Sequence, residues 1–225
     1  MGSIKEEHQY IDETKKLELF KKVISILNSN EIFYWMEFGT LLGYVRDNRF
    51  IEWDADIDLG TFDLKKTFSL FYEFQRAGLE MEVNYDFTDD MSTFLRLSDD
   101  SFHVDIYQFE RMTDGAILKC NRYENRQAKL FRTMYNELKK LGHDSRFILK
   151  KAVRCSEKRV FIYPTIRIKA VEYYGAKVYI PENPENHLRL MYGSTWMTPT
   201  KDDVAGRENI LMMEPGRTYY ALREK

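Results

Sequence analysis

Cysteine is nearly absent from this sequence: Cys120 and Cys155 are the only two among 225 residues. A four-cysteine zinc site and a disulfide framework are both excluded, and a single bridge is the most the chain permits. Two free thiols in a reducing compartment is the expected state. Long apolar runs are missing too. The longest, Ile32 to Met36, falls far short of the ~18 residues a spanning helix requires, so no transmembrane segment is expected. Residues 1–16 contain no stretch like the apolar region of a signal peptide, and Glu6 stands where a myristoylation signal places Ser or Thr. The chain reads as cytoplasmic. What is present is the composition of an ordinary globular protein, 44% hydrophobic and 31% charged, which excludes disorder, collagen and coiled coil as overall classes.

A formal net charge of -2 conceals a division. Between Glu52 and Asp114 there are 16 Asp/Glu against 5 Lys/Arg, whereas between Lys119 and Lys169 there are 15 Lys/Arg against 4 Asp/Glu. Two readings stand: solvated faces that attract each other, or a carboxylate cluster for metal opposite a basic wall for an anionic substrate. Nucleic-acid binding by the basic segment is disfavoured by the acidic half and by the lack of a compact basic motif.

Hydrophobic spacing predicts a helix over 11–27, carried by Leu17, Phe20, Ile24 and Leu27. A strand over 32–36 follows, then a glycine-containing turn and a short helix over 39–46. Next come a strand over 55–60, a helix over 64–76 capped by Asp63, and strands over 80–87, 93–97 and 102–109. Thr113-Asp114-Gly115 reads as a turn. The segments 123–140 and 144–155 look helical and basic, 177–180 is a short strand, and 185–192 is a helix entered after Pro184. The expected class is α/β (α+β), a mixed β-sheet core with flanking helices and a helical C-terminal extension. The chain divides into an N-terminal helix over 1–30, a core over 31–118, and a helical and mixed part over 119–225 packed on that core.

The densest chemical signal is Glu37-Phe-Gly-Thr-Leu-Leu-Gly-Tyr-Val-Arg46, followed by Phe50-Ile-Glu-Trp-Asp-Ala-Asp-Ile-Asp-Leu59. On a strand, Asp54, Asp56 and Asp58 would share one face while Ala55, Ile57 and Leu59 point into the core. Three like charges on one face need a cation, and a small set of hard oxygen donors suits Mg²⁺ or Mn²⁺. A solvated edge guarded by aspartates is the plainer alternative. Asp105, between Val104 and Ile106 in an apolar strand, needs a partner if buried and would complete a carboxylate triad if the two strands are neighbours. Gly39, Thr40 and Gly43 allow close backbone approach at a helix start that can hold an anion, and Arg46 could fork onto a phosphate.

These residues resemble the LicD/fukutin family. GTLLGYVR followed by WDADID matches the family's glycine-threonine-leucine-leucine-glycine, two variable residues, arginine, and then its tryptophan and aspartate-rich DxD. A weaker match lies downstream in Tyr174-Gly175, Ile180-Pro181, Tyr192-Gly193, Trp196 and Pro199, so the resemblance spans about residues 30 to 200. Glu52 replaces the usual proline, Ala55 a frequent aspartate, and Thr195 an aspartate common at that place. The resemblance implies a nucleotidyltransferase-like fold, with Asp56, Asp58 and Asp105 as metal ligands and Gly39, Thr40, Gly43 and Arg46 on the donor phosphates. Asp54 is expected behind the ligands, orienting them or Arg46. Trp53 has two readings, a platform for a base and a core residue, the second favoured. Tyr192 and Trp196 are candidates to line a pocket or to pack. His103 is read as alternating away from Asp105 and carries no chemistry; His8, His143 and His187 are read as surface residues.

The implied activity is Mg²⁺-dependent transfer of a phospho-alcohol group, such as phosphocholine or a polyol phosphate, from a CDP-linked donor to a hydroxyl of a glycan or lipid-linked glycan. The product would be a phosphodiester. Asp105 is expected to act also on the acceptor hydroxyl, alongside Asp56, Asp58 and Arg46. A lipid-linked acceptor would place the cytoplasmic chain at the inner membrane surface. Two rivals stay open: a nucleotidyltransferase moving NMP from an NTP to a small molecule, and a catalytically silent subunit that binds glycan or nucleotide.

Overall fold

The computed structural model describes residues 12–84, 94–113, 115–122, 126–143, 145–155, 157–163, 166–201, 210–214 and 217–221. Helix α1 (Glu13–Ser29) begins where the Asp12 carboxylate accepts the Thr14 and Lys15 N–H groups at 3.2 and 3.3 Å, the usual N-cap contact. Its buried stripe is Lys16, Leu19, Phe20, Val23, Ile24 and Leu27. Leu17, expected in that stripe, is only half-buried. Strand β1 (Trp35–Met36) turns sharply into α2 (Phe38–Asp47). Phe38 makes that turn at φ +45°, a backbone conformation few non-glycine residues hold.

Strand β2 (Asp56–Thr61) is followed by α3 (Leu64–Ser69) and α4 (Phe71–Arg76). The single helix expected over 64–76 is thus two, interrupted at Leu70, and Asp63 caps the first by accepting from Lys66 N–H at 3.1 Å. Strands β3 (Glu80–Asn84), β4 (Phe94–Ser98) and β5 (His103–Gln108) complete a five-stranded sheet in the order β1-β2-β5-β4-β3. Only β2 and β5 run parallel within it. The expected strand ends at Phe87 and Thr93 lie outside the described residues.

The rest of the chain adds β6 (Glu110–Arg111), β7 (Ala116–Arg122), α5 (Arg126–Lys140), α6 (Arg146–Cys155) and β8 (Glu157–Tyr163). It continues with β9 (Ile168–Tyr173), β10 (Ala176–Pro181), α7 (Pro184–Tyr192), β11 (Ile210–Glu214) and β12 (Arg217–Ala221). A second mixed sheet has the order β11-β12-β8-β7-β6, and β9 and β10 form an antiparallel hairpin. Sequence spacing marked only the second arm of that hairpin. Its first arm, β9, shows little alternation between buried and exposed positions, so the period-2 signal is faint.

The larger core joins α1 to the first sheet through Phe20, Ile24, Leu27, Ile57, Leu59 and Ile106, and reaches Val178, Ile180, Leu188 and Trp196 further along the chain. A smaller core gathers Trp35, Phe109, Leu118, Phe161, Tyr163 and Met191 where the sheets meet. Among the described residues no helix is long and apolar enough to cross a membrane.

Candidate active site

Sheet register assembles the carboxylates. The parallel pairing of β2 and β5 sets Asp56 opposite His103 and Asp58 opposite Asp105. Residues two apart on a strand share a face, so His103 and Asp105 point the same way, and the expectation that His103 turns away is corrected. Asp56, His103 and Asp105 each offer a donor atom, and all three atoms lie within 4.8 Å of one another. His103 Nε2 stands 3.8 Å from Asp56 Oδ2. The antiparallel neighbour β4 brings Arg96 opposite Asp105. Its guanidinium forks onto that carboxylate, Nε to Oδ1 at 2.7 Å and Nη2 to Oδ2 at 2.6 Å. Arg96 was not singled out in the sequence, although β4's alternation places it on the same face as the aspartate it meets.

Asp54 departs from the expected strand face. The strand starts at Asp56, so Asp54 lies in the preceding turn, and Ala55, expected in the core, is exposed. The Asp54 carboxylate instead folds back over the start of α2, where a Cβ on Gly39 would collide with its Oδ2. Gly39 therefore admits an aspartate. Gly43 has a different neighbour: a Cβ there would meet Arg49 O at 2.5 Å, so its small size lets α2 pack on the following turn.

Charge at the site is far from neutral. Burial, then the hydrogen bond with Asp56, pushes the Asp54 carboxyl up to about 8. Burial also raises Asp58 well above the carboxylate range, and Asp56, Asp54 and Asp105 add to it. Asp56 moves down: burial works against its ionisation, but the bond from Asp54 and the charges of His103 and Lys16 outweigh it. These shifts favour a proton on Asp54 and the charge on Asp56, beside a buried Asp58.

Lys16 faces this cluster from α1. Only 1% exposed, it donates from Nζ to the Asp54 carbonyl at 2.7 Å and lies 4.8 Å from the Phe50 ring centroid. Burial lowers its pKa, and Asp54, Asp56 and Asp58 oppose that shift. Its position four residues before Phe20 and seven before Val23 was a legible signal that it faces inward.

The turn before α2 holds β2 by its backbone. Glu37 N–H donates to Asp58 O at 3.0 Å, and Asp58 N–H donates to Thr40 Oγ1 at 2.8 Å. Glu37 is itself fully buried. Its Oε2 accepts from Trp35 Nε1 at 2.6 Å, its Oε1 lies 2.7 Å from His187 Nε2, and Tyr163 Oη donates to Oε1 at 3.4 Å. His187 is thus a core residue 6% exposed, correcting the surface reading, and it stacks on Tyr163.

The remaining candidates scatter. Arg46 turns its guanidinium onto Asp47, Nη2 to Oδ2 at 2.7 Å, with its side chain 5% exposed. Trp53 is 39% exposed, with Lys201 Nζ over its ring at 5.8 Å, so its favoured core reading is corrected. Trp196 packs in the larger core and Tyr192 is half-buried against both cores.

The LicD/FKTN/FKRP, nucleotidyltransferase domain matches residues 31–183, which hold this whole cluster except Lys16 and His187. The chain belongs to that family. It is similar to the ribitol-5-phosphate transferase FKTN of Macaca fascicularis, 23% identical over 184 residues, covering 82% of this chain and 33% of that protein. The Homo sapiens FKTN is 22% identical over 184 residues with the same coverage. The chain spans about a third of the length of these relatives. Among solved structures it is similar to the antibiotic-resistance factor ANT(2'')-Ia, at 15% identity and a TM-score of 0.35, covering 64% of this chain and 84% of that one.

Proposed function

We propose that this chain is a divalent-metal-dependent transferase that moves a phospho-alcohol group from a CDP-linked donor to a hydroxyl of a glycan. The observation that carries the reading is the β2/β5 register, which gathers Asp56, Asp58 and Asp105 beside the turn formed by the GTLLG segment. The donor set fits a hard cation: three carboxylates on adjacent strands, with Asp58 pushed toward its neutral form by burial and then by its neighbours' charge. Asp56 and Asp58 are the ligands in this reading, and Asp105 joins them with lone pairs left by Arg96, or His103 does so from the same strand. Bound Mg²⁺ or Mn²⁺ would neutralise charge on the donor diphosphate.

The chain's own groups do the rest. Thr40 and Glu37 fix the Asp58 backbone, so its carboxylate is presented without reorganisation. The fork from Arg96 fixes the Asp105 carboxylate in one plane, from which it holds the acceptor hydroxyl in line or takes its proton. Among phospho-alcohols, the FKTN relatives favour a polyol phosphate. The family's nucleotidyltransferase description supports the second reading, NMP transfer from an NTP with the same carboxylates. Incubation with a panel of CDP-alcohols and NTPs plus Mg²⁺ separates the two. CMP release supports the first and pyrophosphate release the second; neither product under any pairing would leave a binding subunit.

A further inference from the structure

Outside the site, the feature that asks for a partner is the helical hairpin of α5 and α6. Among the described residues these helices pack chiefly against each other. Among the residues whose burial is described, Ala128 of α5 and Ala152 of α6 are the buried ones, and the Lys139–Glu82 ion pair at 2.8 Å ties the end of α5 to the edge strand β3. The two helices together carry nine Lys/Arg and one Glu. Large apolar side chains nonetheless stand out in solvent. Leu130, Met134 and Leu141 are 57%, 41% and 72% exposed, and their spacings of four and seven put them on one stripe of α5 and its continuation. On α6, Phe147 is 69% exposed, and Lys150, Lys151 and Arg154 follow at three, four and seven residues, on the same face. Lys151 Nζ sits 4.6 Å from the Phe147 ring centroid.

We propose that the α5–α6 hairpin is a docking surface for anionic phospholipid membranes. Leucine, methionine and phenylalanine exposed among lysines and arginines, on helices of low net hydrophobicity, match the pattern of an interfacial amphipathic helix. The apolar tips enter the acyl boundary while the cations meet lipid phosphates. A nucleic-acid partner would use the charge but gain little from the apolar stripe. A second copy would bring nine more cations against nine, which opposes association. The inference does not depend on which group the active site transfers.

The test is co-sedimentation of the full chain with phosphatidylcholine vesicles, with and without phosphatidylglycerol. Binding is expected only to the anionic vesicles and to weaken with added salt. Lys150→Glu/Lys151→Glu/Arg154→Glu should weaken it on the order of 100-fold. Leu130→Ser or Phe147→Ser should weaken it on the order of 10-fold each. All five positions are exposed, and far-UV circular dichroism checks that each variant keeps its helices; Leu141→Ser, beyond the end of α5, is the variant least able to disturb them. The proposal is overturned if the serine variants bind as well as wild type, or if the charge variants lose a soluble oligonucleotide and vesicles in parallel while the serine variants lose neither. It is equally overturned if the chain forms a dimer that Phe147→Ser dissolves.

Discussion

A lysine with 1% of its surface exposed is tolerable only if its surroundings repay the lost hydration. For Lys16 that surrounding is the Asp54 carbonyl and three carboxylates whose mutual repulsion it reduces. Lys16→Met should therefore cost about 1–3 kcal/mol in urea unfolding, although methionine fits the apolar stripe, and a variant as stable as wild type would deny the lysine this role. Asp58 behaves oppositely. Its carboxyl is raised by burial and by like charges, so Asp58→Asn should leave the metal-free protein as stable or more stable at pH 8, while lowering kcat at least roughly 100-fold. Activity near wild type would remove Asp58 from the metal site. Gly39 is judged by coupling: Gly39→Ala should impair activity in the wild-type background and do little further in Asp54→Ala, since the collision is with the Asp54 carboxylate. Equal losses in both backgrounds would mean that the glycine serves the donor instead.

Helix α2 does not merely precede β2; it sets that strand's position. The Thr40 hydroxyl replaces a sheet partner for Asp58 N–H, and a buried N–H left without an acceptor costs about 1–3 kcal/mol. Thr40→Val should lose about that much in thermal or urea unfolding, together with kcat, whereas Thr40→Ser should keep both. A valine variant with full activity would show that β2 holds its place without this bond. The sequence signalled the helix through its glycines and the strand through its alternation, but the bond between them joins residues eighteen apart and has no local signature. Arg96 escaped for the same reason, since only the β4/β5 register tells which aspartate it meets.

Across the whole molecule, Glu37 and His187 link the turn before α2 to α7 through a contact 150 residues apart in sequence. Stability also depends on the carboxylates. Asp54 sits at about 8 in the folded chain against an ordinary 3.8, and Asp58 is displaced the same way. Over that window the folded state keeps protons that the unfolded state has released, so stability falls as pH rises from about 4 to 8. In chelator, the melting temperature should drop on the order of 10 °C across this range from these groups, and Mg²⁺ should restore more of it at pH 8 than at pH 5. A profile that rises with pH in chelator would contradict the burial of the pair.

Sequence alone determined the elements that carry periodic burial and the motif that places the chain in its family. The stripe of α1, the helix of GTLLGYVR and the DxD strand are all local patterns, and an alternating or threefold spacing is readable wherever one face is buried. The aspartates also announced that their charge must be offset, because like charges crowded together need a counter-charge or a proton wherever they end up. Tertiary structure decided which residues those aspartates actually meet. Asp54 left the strand for the start of α2, Asp56 met His103 across the β2/β5 pairing, and Lys16, Arg96 and His187 entered the interior from elements far away in the chain. A buried charge is fixed by the partner that offsets its desolvation, and that partner is chosen by strand register and helix packing, which no local pattern encodes.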